Sequence, residues 1–313
     1  MAKKVHFSIV VPVFNEEKNL PLFYQTLTRV LEKEEKDYEL IFIDDGSTDS
    51  SLEILKKIGS SDKKVKIVSL RRNYGKSTAL DVGFREAIGE IIITLDADLQ
   101  DRPDQIPKFF KKLSLGYDFV CGWRYNRHDP LSKKIASLVF NRITAFLTNT
   151  HLHDMNCGFK AFRKEVVESL NLYGELHRFV PVLCHWSGFK IGEIKIKHNP
   201  RRFGKSKFGS GRYLSGFFDL LTVMFLTRYF GKPLHIFGLI GLLSFLFGAS
   251  IIFFFEARKY LVGILIGAGR PIIQIAVFLM IFGVQVFIFG FLAELIISGS
   301  GKDRKIFIKE KIG

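Results

Sequence analysis

Two stretches of this chain leave little choice about their surroundings. From Leu234 to Phe255, 22 residues pass without a formal charge, and from Pro271 to Ala293 another 23 do so before Glu294 ends the run. At about 1.5 Å of rise per residue each run reaches roughly 33 Å as a helix, enough for a hydrocarbon core of about 30 Å. A helix in a soluble protein rarely stays apolar on every face for so long. A buried helical hairpin is the alternative, but the connection Glu256–Arg270 is too short to hold a domain that would bury one. The sequence therefore predicts two membrane spans, with residues 1–232 and the C-terminal tail on one side. The tail Ser298–Gly313 carries Lys302, Arg304, Lys305, Lys309 and Lys311 against Asp303 and Glu310, whereas the hairpin loop has only Arg258, Lys259 and Arg270, with Glu256. The excess of positive charge predicts a multi-pass protein of the cell membrane with both termini in the cytoplasm. Ser8–Val13 is apolar but too short for the core of a signal peptide.

Composition narrows the classes further. Thirty-two Phe and 47% hydrophobic residues are too many for a disordered chain. Lys and Arg total 46 against 31 Asp and Glu, a net charge of +15. With two spans and acidic clusters in the same chain, that excess predicts a basic membrane-facing surface and no nucleic-acid partner. Three cysteines, Cys121, Cys157 and Cys184, exclude a disulfide scaffold, are not spaced as a CxxC zinc site, and read as reduced, buried thiols.

The first 125 residues alternate short β-branched runs with helical patterns. Phe7–Val13, Tyr38–Ile43, Val65–Leu70 and Glu90–Leu95 read as strands, and Leu20–Glu34 and Ser50–Ile58 as helices between them. This is the pattern of βαβ units on a mainly parallel sheet, which binds ligands beyond the carboxyl ends of its strands. Polar residues gather there. The first strand runs into Pro12, Asn15, Glu16 and Glu17, the second into Asp44-Asp45-Gly46-Ser47-Thr48-Asp49, and the fourth into Asp96-Ala97-Asp98-Leu99-Gln100-Asp101. Any one cluster can be no more than a helix cap: Asp49 or Ser50 for one helix, Asp104 for another. Three at one sheet edge would repel each other unless they hold a cation or hydroxyl-rich ligands. In an extended D-x-D both carboxylates leave the strand on one side. Such a pair can hold Mg²⁺ or Mn²⁺, whose other ligands are commonly phosphate and water. Asp44 and Asp45, at the neighbouring strand end, suit hydrogen bonds from a ribose or base.

As a set, P-V-F-N-E at 12–16, D-D-G-S-T-D at 44–49 and D-A-D-L-Q-D at 96–101 resemble the GT-A-fold, family-2 glycosyltransferases. More narrowly they resemble the dolichol-phosphate-mannose-synthase-like branch, which moves a sugar from a nucleotide to a polyprenyl phosphate. The likeness continues through D-M-N-C-G-F-K-A-F at 154–162, E-L-H-R-F-V-P at 175–181 and R-R-F-G-K-S-K-F-G at 201–209, and the two spans are similar to those of the GtrB-like bacterial subgroup. The resemblance implies a Rossmann-like α/β domain followed by interfacial helices and two transmembrane helices. It implies metal and diphosphate contacts for Asp96 and Asp98, nucleoside contacts for Asp44 and Asp45, a place near the reacting centre for Asp154, and phosphate contacts for Arg202, Ser206 and Lys207. Pro12, Asn15, Glu16, Lys76 and Gln100 complete the expected nucleotide-sugar site. Arg102-Pro103 departs from the Pro-Pro pair of many relatives. The absence of Q-x-x-R-W counts against the polysaccharide-synthase branch.

The residues themselves support a phosphate acceptor. Lys195, Lys197, Arg201, Arg202, Lys205, Lys207 and Arg212 fall within Lys195–Tyr213 without an acidic residue, just before the first span. This loop can neutralise a lipid phosphate at headgroup depth, or simply anchor the domain to anionic lipids. Leu131–Leu147 and Tyr213–Phe230 mix apolar and isolated basic residues as interfacial helices do, although the apolar face of Leu131–Leu147 fits packing on the sheet equally well. His151 and His153 share one short loop with no further metal ligand at useful spacing. Expected domains are a cytoplasmic catalytic domain at 1–212, a juxtamembrane helix at 213–232, a two-span hairpin at 233–297 and a basic tail at 298–313. The expected partners are a nucleotide-sugar donor, a polyprenyl phosphate and membrane lipids; a homo-oligomer is left open. The expected activity is hexosyl transfer to the lipid phosphate. The alternatives are transfer to a lipid or protein hydroxyl, which needs a proton acceptor more strictly, or a non-catalytic nucleotide-binding membrane module.

Overall fold

The computed structural model describes residues 5–34, 36–125, 142, 144–145, 148, 150, 152–200, 222, 233–262 and 271–299. Arg202, Ser206 and Lys207, the tail beyond Gly299, and nearly all of Leu131–Leu147 and Tyr213–Phe230 lie outside the described residues. The chain divides between Val223 and Met224 into two compact units.

The first unit is built on β1 (Phe7–Val13), α1 (Leu20–Leu31), β2 (Tyr38–Asp44), α2 (Ser51–Ser61), β3 (Val65–Ser69), α3 (Lys76–Glu86), β4 (Ile91–Thr94), α4 (Ile106–Ser114), β5 (Phe119–Arg124), β6 (Lys160–Arg163), α5 (Lys164–Ser169), α6 (Val180–Trp186) and β7 (Ile191–Ile196). The strands form one sheet in the order β3-β2-β1-β4-β6-β5-β7. β1 pairs in parallel with β2 and β4, β2 with β3, and β5 with β7. β6 runs antiparallel to both of its neighbours, making the sheet mixed. All seven residues of β2 are buried, as expected of a strand covered on both faces. α1 lays Leu20, Phe23, Leu27 and Leu31 against the core at helical spacing. Phe109 of α4 stacks on Phe159 with ring centroids 4.2 Å apart.

This order decides where a ligand can sit. From β1 the chain moves outward through β2 and β3, then returns to place β4 on the other side of β1. The connections leaving β1 and β4 diverge, opening a crevice at their carboxyl ends. Because β6 is reversed, its beginning lies at this same edge, so Gly158 and Lys160 join Asp96 there.

The second unit comprises α7 (Pro233–Val262) and α8 (Pro271–Gly299). Within them Pro233–Arg258 and Pro271–Ile296 are long and apolar enough to cross a membrane. Phe253 and Phe278 are exposed, as lipid-facing side chains would be. The helices touch through backbone: a Cβ on Gly241 would lie 2.5 Å from the Gly283 carbonyl, and one on Gly283 equally close to the Gly241 carbonyl. Close approach of this kind is how apolar helices associate where no hydrophobic effect separates them from lipid. Glu294, which its place near a span's end leaves without an evident role, accepts a hydrogen bond from the Leu234 amide at 3.3 Å and satisfies one free donor at the start of α7.

Candidate active site

The ends of β2, β1 and β4 hold the three acidic clusters side by side. Asn15 takes a left-handed conformation (φ 52°) as the chain leaves β1. Its amide donates to Ser47 Oγ (3.0 Å), and its Oδ1 accepts from the Thr48 amide (2.7 Å). Asn15 therefore stitches the first cluster to the second. Glu16 is bound within the scaffold as well: its amide donates to Ser51 Oγ at 2.8 Å and its carboxylate accepts from Asn19 at 2.6 Å. Asp49 accepts from the Ser51 amide at 2.9 Å, but the N-cap of α2 is Ser50, whose side chain makes no capping hydrogen bond. Asp104 pairs with Arg102, and the N-cap of α4 is Gln105. Pro12 lies within β1 opposite Ile43.

Asp44 and Asp45 are both buried. Asp44 accepts from Ser69 Oγ at 2.9 Å. Asp45 receives the Tyr74 amide on one oxygen (2.8 Å) and the Gly75 amide on the other (2.9 Å). Burial pushes the Asp45 carboxyl above its ordinary value, partly offset by those two amides and reinforced by the charge of Asp44.

At the end of β4, Asp96 is ion-paired with Lys76, the first residue of α3. Burial opposes its charge, but Lys76, then Lys160 and Arg124, hold the Asp96 carboxyl below the usual carboxylate range. A Cβ on Gly158 would lie 2.4 Å from Asp96 Oδ2, so only glycine leaves room for the carboxylate here. Asp98 is buried and accepts from the Gln100 amide at 3.2 Å. Lys160 is buried and donates to the Cys157 carbonyl at 2.5 Å. Asp154 is gripped by Arg124 through two bonds of 2.6 and 2.9 Å, and both side chains are largely buried. Burial works against the Arg124 charge, but Asp154 more than compensates and raises its pKa well above the ordinary value. The predicted crowding of carboxylates is thus relieved partly by the protein's own cations. Arg124 and Lys160 were not foreseen as site residues; Lys160 falls within the D-M-N-C-G-F-K-A-F segment, and nothing local marks Arg124.

The loop after the D-x-D is tied to the chain leaving β7. The Asn199 amide donates to the Gln100 carbonyl (2.8 Å), Gln100 Nε2 reaches the Asn199 carbonyl (3.5 Å), and His198 faces Asp101 (3.4 Å). Residues 197–199, which open the basic loop, are thereby held beside Gln100 and Asp101. On the far side, Ser77 is buried and its Oγ accepts the His177 amide at 3.0 Å, fixing the E-L-H-R segment to the start of α3. His153 stacks on Trp123 (3.9 Å) and is paired with Glu193. Among the described residues no three His, Cys, Asp or Glu side chains form a metal-binding group. All three cysteines are buried and free; burial pushes the Cys121 thiol up to about 12.

Comparison with known proteins places this geometry in context. The model of the family described as "Glycosyl transferase family 2" matches residues 8–170. The dodecaprenyl-phosphate galacturonate synthase of Rhizobium johnstonii is 36% identical over 299 residues, covering 94% of this chain and 88% of the relative. The undecaprenyl-phosphate 4-deoxy-4-formamido-L-arabinose transferase of Pectobacterium atrosepticum is 35% identical, covering 92% and 87%. Among solved structures, glucosyl-3-phosphoglycerate synthase from Mycobacterium tuberculosis, crystallised with Mn²⁺, UDP and glucosyl-3-phosphoglycerate, superposes with a TM-score of 0.56 at 19% identity, over 71% of this chain and 80% of the other. That likeness is one of fold.

Proposed function

This chain belongs to glycosyl transferase family 2, and on that premise we propose that it transfers the sugar of a nucleotide-sugar donor to the phosphate of a membrane polyprenyl phosphate. The observation that carries the proposal is the gathering around Asp96, the first carboxylate of the D-x-D, of Lys76, Lys160 and the Arg124–Asp154 clamp. Such a site suits a diphosphate that leaves as an anion. The two relatives named above, similar along nearly their whole length, carry names of polyprenyl-phosphate sugar transferases.

A divalent cation fits the donor set. Asp96 and Asp98 supply hard oxygen ligands, and Gly158 keeps the space at Asp96 free of a side chain. Without a third metal-ligating side chain among the described residues, the pair suits an ion that completes its shell from diphosphate and water. We assign it as Mg²⁺ or Mn²⁺; when bound, it supplies electrostatic stabilisation of the departing nucleoside diphosphate. Asp44 and Asp45 would face the nucleoside, with Pro12, Asn15 and Glu16 shaping that end and Gln100 the other. The bond from the anomeric carbon to the donor's diphosphate oxygen breaks as one forms to an oxygen of the lipid phosphate, through a centre of oxocarbenium character. A phosphate monoester has a second pKa of about 6 and is already an anion at neutral pH. Arg202, Ser206 and Lys207 would hold it, a reading supported by the attachment of residues 197–199 beside Gln100. We place the catalytic domain at 1–212, the juxtamembrane helix at 213–232, the spans at 233–297 and the tail at 298–313, with both termini cytoplasmic.

The test is a panel of radiolabelled nucleotide sugars incubated with the full chain in detergent, Mg²⁺ or Mn²⁺, and either polyprenyl phosphate or the corresponding polyprenol. One donor is expected to label the organic phase with the phosphate acceptor alone. Labelling of the polyprenol at an equal rate, or of neither lipid with any donor, would overturn the assignment.

A further inference from the structure

We infer that Lys76 is an internal counter-ion that occupies Asp96 in the ligand-free chain and yields it to the divalent cation only when a donor diphosphate arrives to take the lysine, so that the cation enters with the nucleotide rather than before it. The inference rests on the nucleotide-sugar reading of this site and concerns the order in which the site fills.

Three observations support it. First, the Lys76 ammonium sits directly on Asp96 Oδ1. It therefore holds a position that a cation bound to that oxygen would need. Second, the other cations near Asp96 have fixed partners: Arg124 is held by both oxygens of Asp154, and Lys160 by the Cys157 carbonyl. Lys76 is half-buried and ends a flexible four-carbon stem, so its head can swing a few ångströms while α3 stays in place. Third, the residues just before it are tethered to the nucleoside end. Asp45 holds the Tyr74 and Gly75 amides, and Gly75 lies in the left-handed region at φ 93°. The next residue, Ser77, is pinned by His177. A ligand that draws on the Asp45 oxygens thus acts on a tether one residue from the lysine that covers Asp96. With Lys76 in place, a divalent ion would meet a like charge within a few ångströms; with Lys76 drawn to a phosphate, the same charge contributes to holding the donor.

The experiment is a titration of the full-length protein in detergent with Mn²⁺ alone, following free Mn²⁺ by electron paramagnetic resonance, for wild type, Lys76→Met and Lys76→Arg. Lys76→Met is expected to bind Mn²⁺ at least tenfold more tightly than wild type without nucleotide, because the competing charge is gone. Lys76→Arg should stay within about twofold of wild type. Thermal unfolding confirms that each variant is folded, and Lys76→Gln replaces the methionine variant if that one is not. Unchanged or weaker Mn²⁺ affinity in the folded neutral variant would overturn the counter-ion role. A repeat with saturating UDP or GDP separates the two levels. Nucleotide-dependent Mn²⁺ binding by wild type without the gain in the neutral variant removes only the present inference. No Mn²⁺ binding by any variant in any condition removes the metal-dependent reading of the site as well.

Discussion

Gly158→Ala tests the site without altering a charge. The added Cβ would stand 2.4 Å from Asp96 Oδ2, 2.7 Å from its Cγ and 2.9 Å from its Oδ1. Ordinary contacts begin near 3.5 Å, so the carboxylate must retreat by roughly 1 Å or the strand must shift. Gly158 has little freedom to move, because its carbonyl accepts from Thr94 Oγ1 at 2.7 Å and the residues after it pair with β4. Overpacking of this kind costs about 1–3 kcal/mol of stability. The effect on turnover should be larger, since a misplacement of about 1 Å at a reacting centre can cost on the order of 100-fold in rate. Purified wild type and variant would be compared for kcat and KM in the organic-phase transfer assay, with Mn²⁺ affinity and Tm measured in parallel. The expected result is a modest fall in Tm with loss of most kcat. A variant that keeps wild-type kcat and Mn²⁺ affinity would show that Asp96 can move freely, and its assignment as a metal and diphosphate ligand would fall.

Three further perturbations read other parts of the molecule. Arg124→Met strands the Asp154 carboxylate, which is 3% exposed, and loss of one partner of a buried pair costs about 3–5 kcal/mol; chemical denaturation should show that loss, with Arg124→Lys recovering only part because the two-pronged contact is gone. Glu39 is buried among Ser8 Oγ, Lys66 and the Ile88 amide; burial raises its pKa, but those three contacts prevail and leave it below 4.5. Its depressed folded pKa means that the unfolded chain binds the proton more readily, so its contribution is complete above about pH 4.5 and is lost as pH falls toward the folded value; the gap between wild type and Glu39→Gln, about 1.5–3 kcal/mol for hydrogen bonds to a charged group, should narrow over that acid range in equilibrium unfolding. Gly283→Val forces a side chain onto the Gly241 carbonyl, 2.5 Å from the new Cβ, and should lower the stability of the α7–α8 hairpin by about 1–3 kcal/mol, read as a reduced melting temperature in detergent.

The sequence disclosed some of these features and hid others for physical reasons. β1, β2 and β4 are short, mostly apolar runs, legible because strands covered on both faces need apolar residues at most positions, and β3 at the sheet's edge was legible from Val65, Ile67 and Val68. Their polar ends were legible too, since a parallel sheet brings successive strand ends to one edge. β6 is only four residues long and runs against its neighbours, so neither periodicity nor length sets it apart. Its reversal carries Gly158 and Lys160 to the carboxyl edge. The Arg124–Asp154 clamp joins residues 30 positions apart, and local pattern does not reveal such pairs. The Lys76–Asp96 contact was half legible: Lys76 was expected at the nucleotide-sugar site, but the carboxylate that it meets first belongs to another strand end. The two long apolar helices were legible from their lack of charge alone. Their glycine contacts were not, because spacing does not show which glycines face the partner helix.

The clamp on Asp154 also bears on which acceptor the site suits. A general base must be free to receive a proton from the group that attacks, and both Asp154 oxygens accept from Arg124, which the Asp154 charge holds firmly protonated against the opposing effect of burial. A carboxylate bound this way is a poor proton acceptor, because protonating it would strand a buried guanidinium. Transfer to a hydroxyl depends on such an acceptor; transfer to a phosphate that is already anionic does not. A phosphate acceptor instead needs cations to offset its charge near the departing diphosphate, and on the proposed reading Lys160, Arg124 and the basic run that begins at Lys195 would supply them. If Asp154 positions Arg124 rather than moving a proton, Asp154→Asn should lower kcat without abolishing the alkaline plateau of the kcat profile. A base would instead leave a residual rate that climbs with pH as hydroxide takes over its task. Observation of that climbing profile would return Asp154 to the role of base and reopen the case for a hydroxyl acceptor.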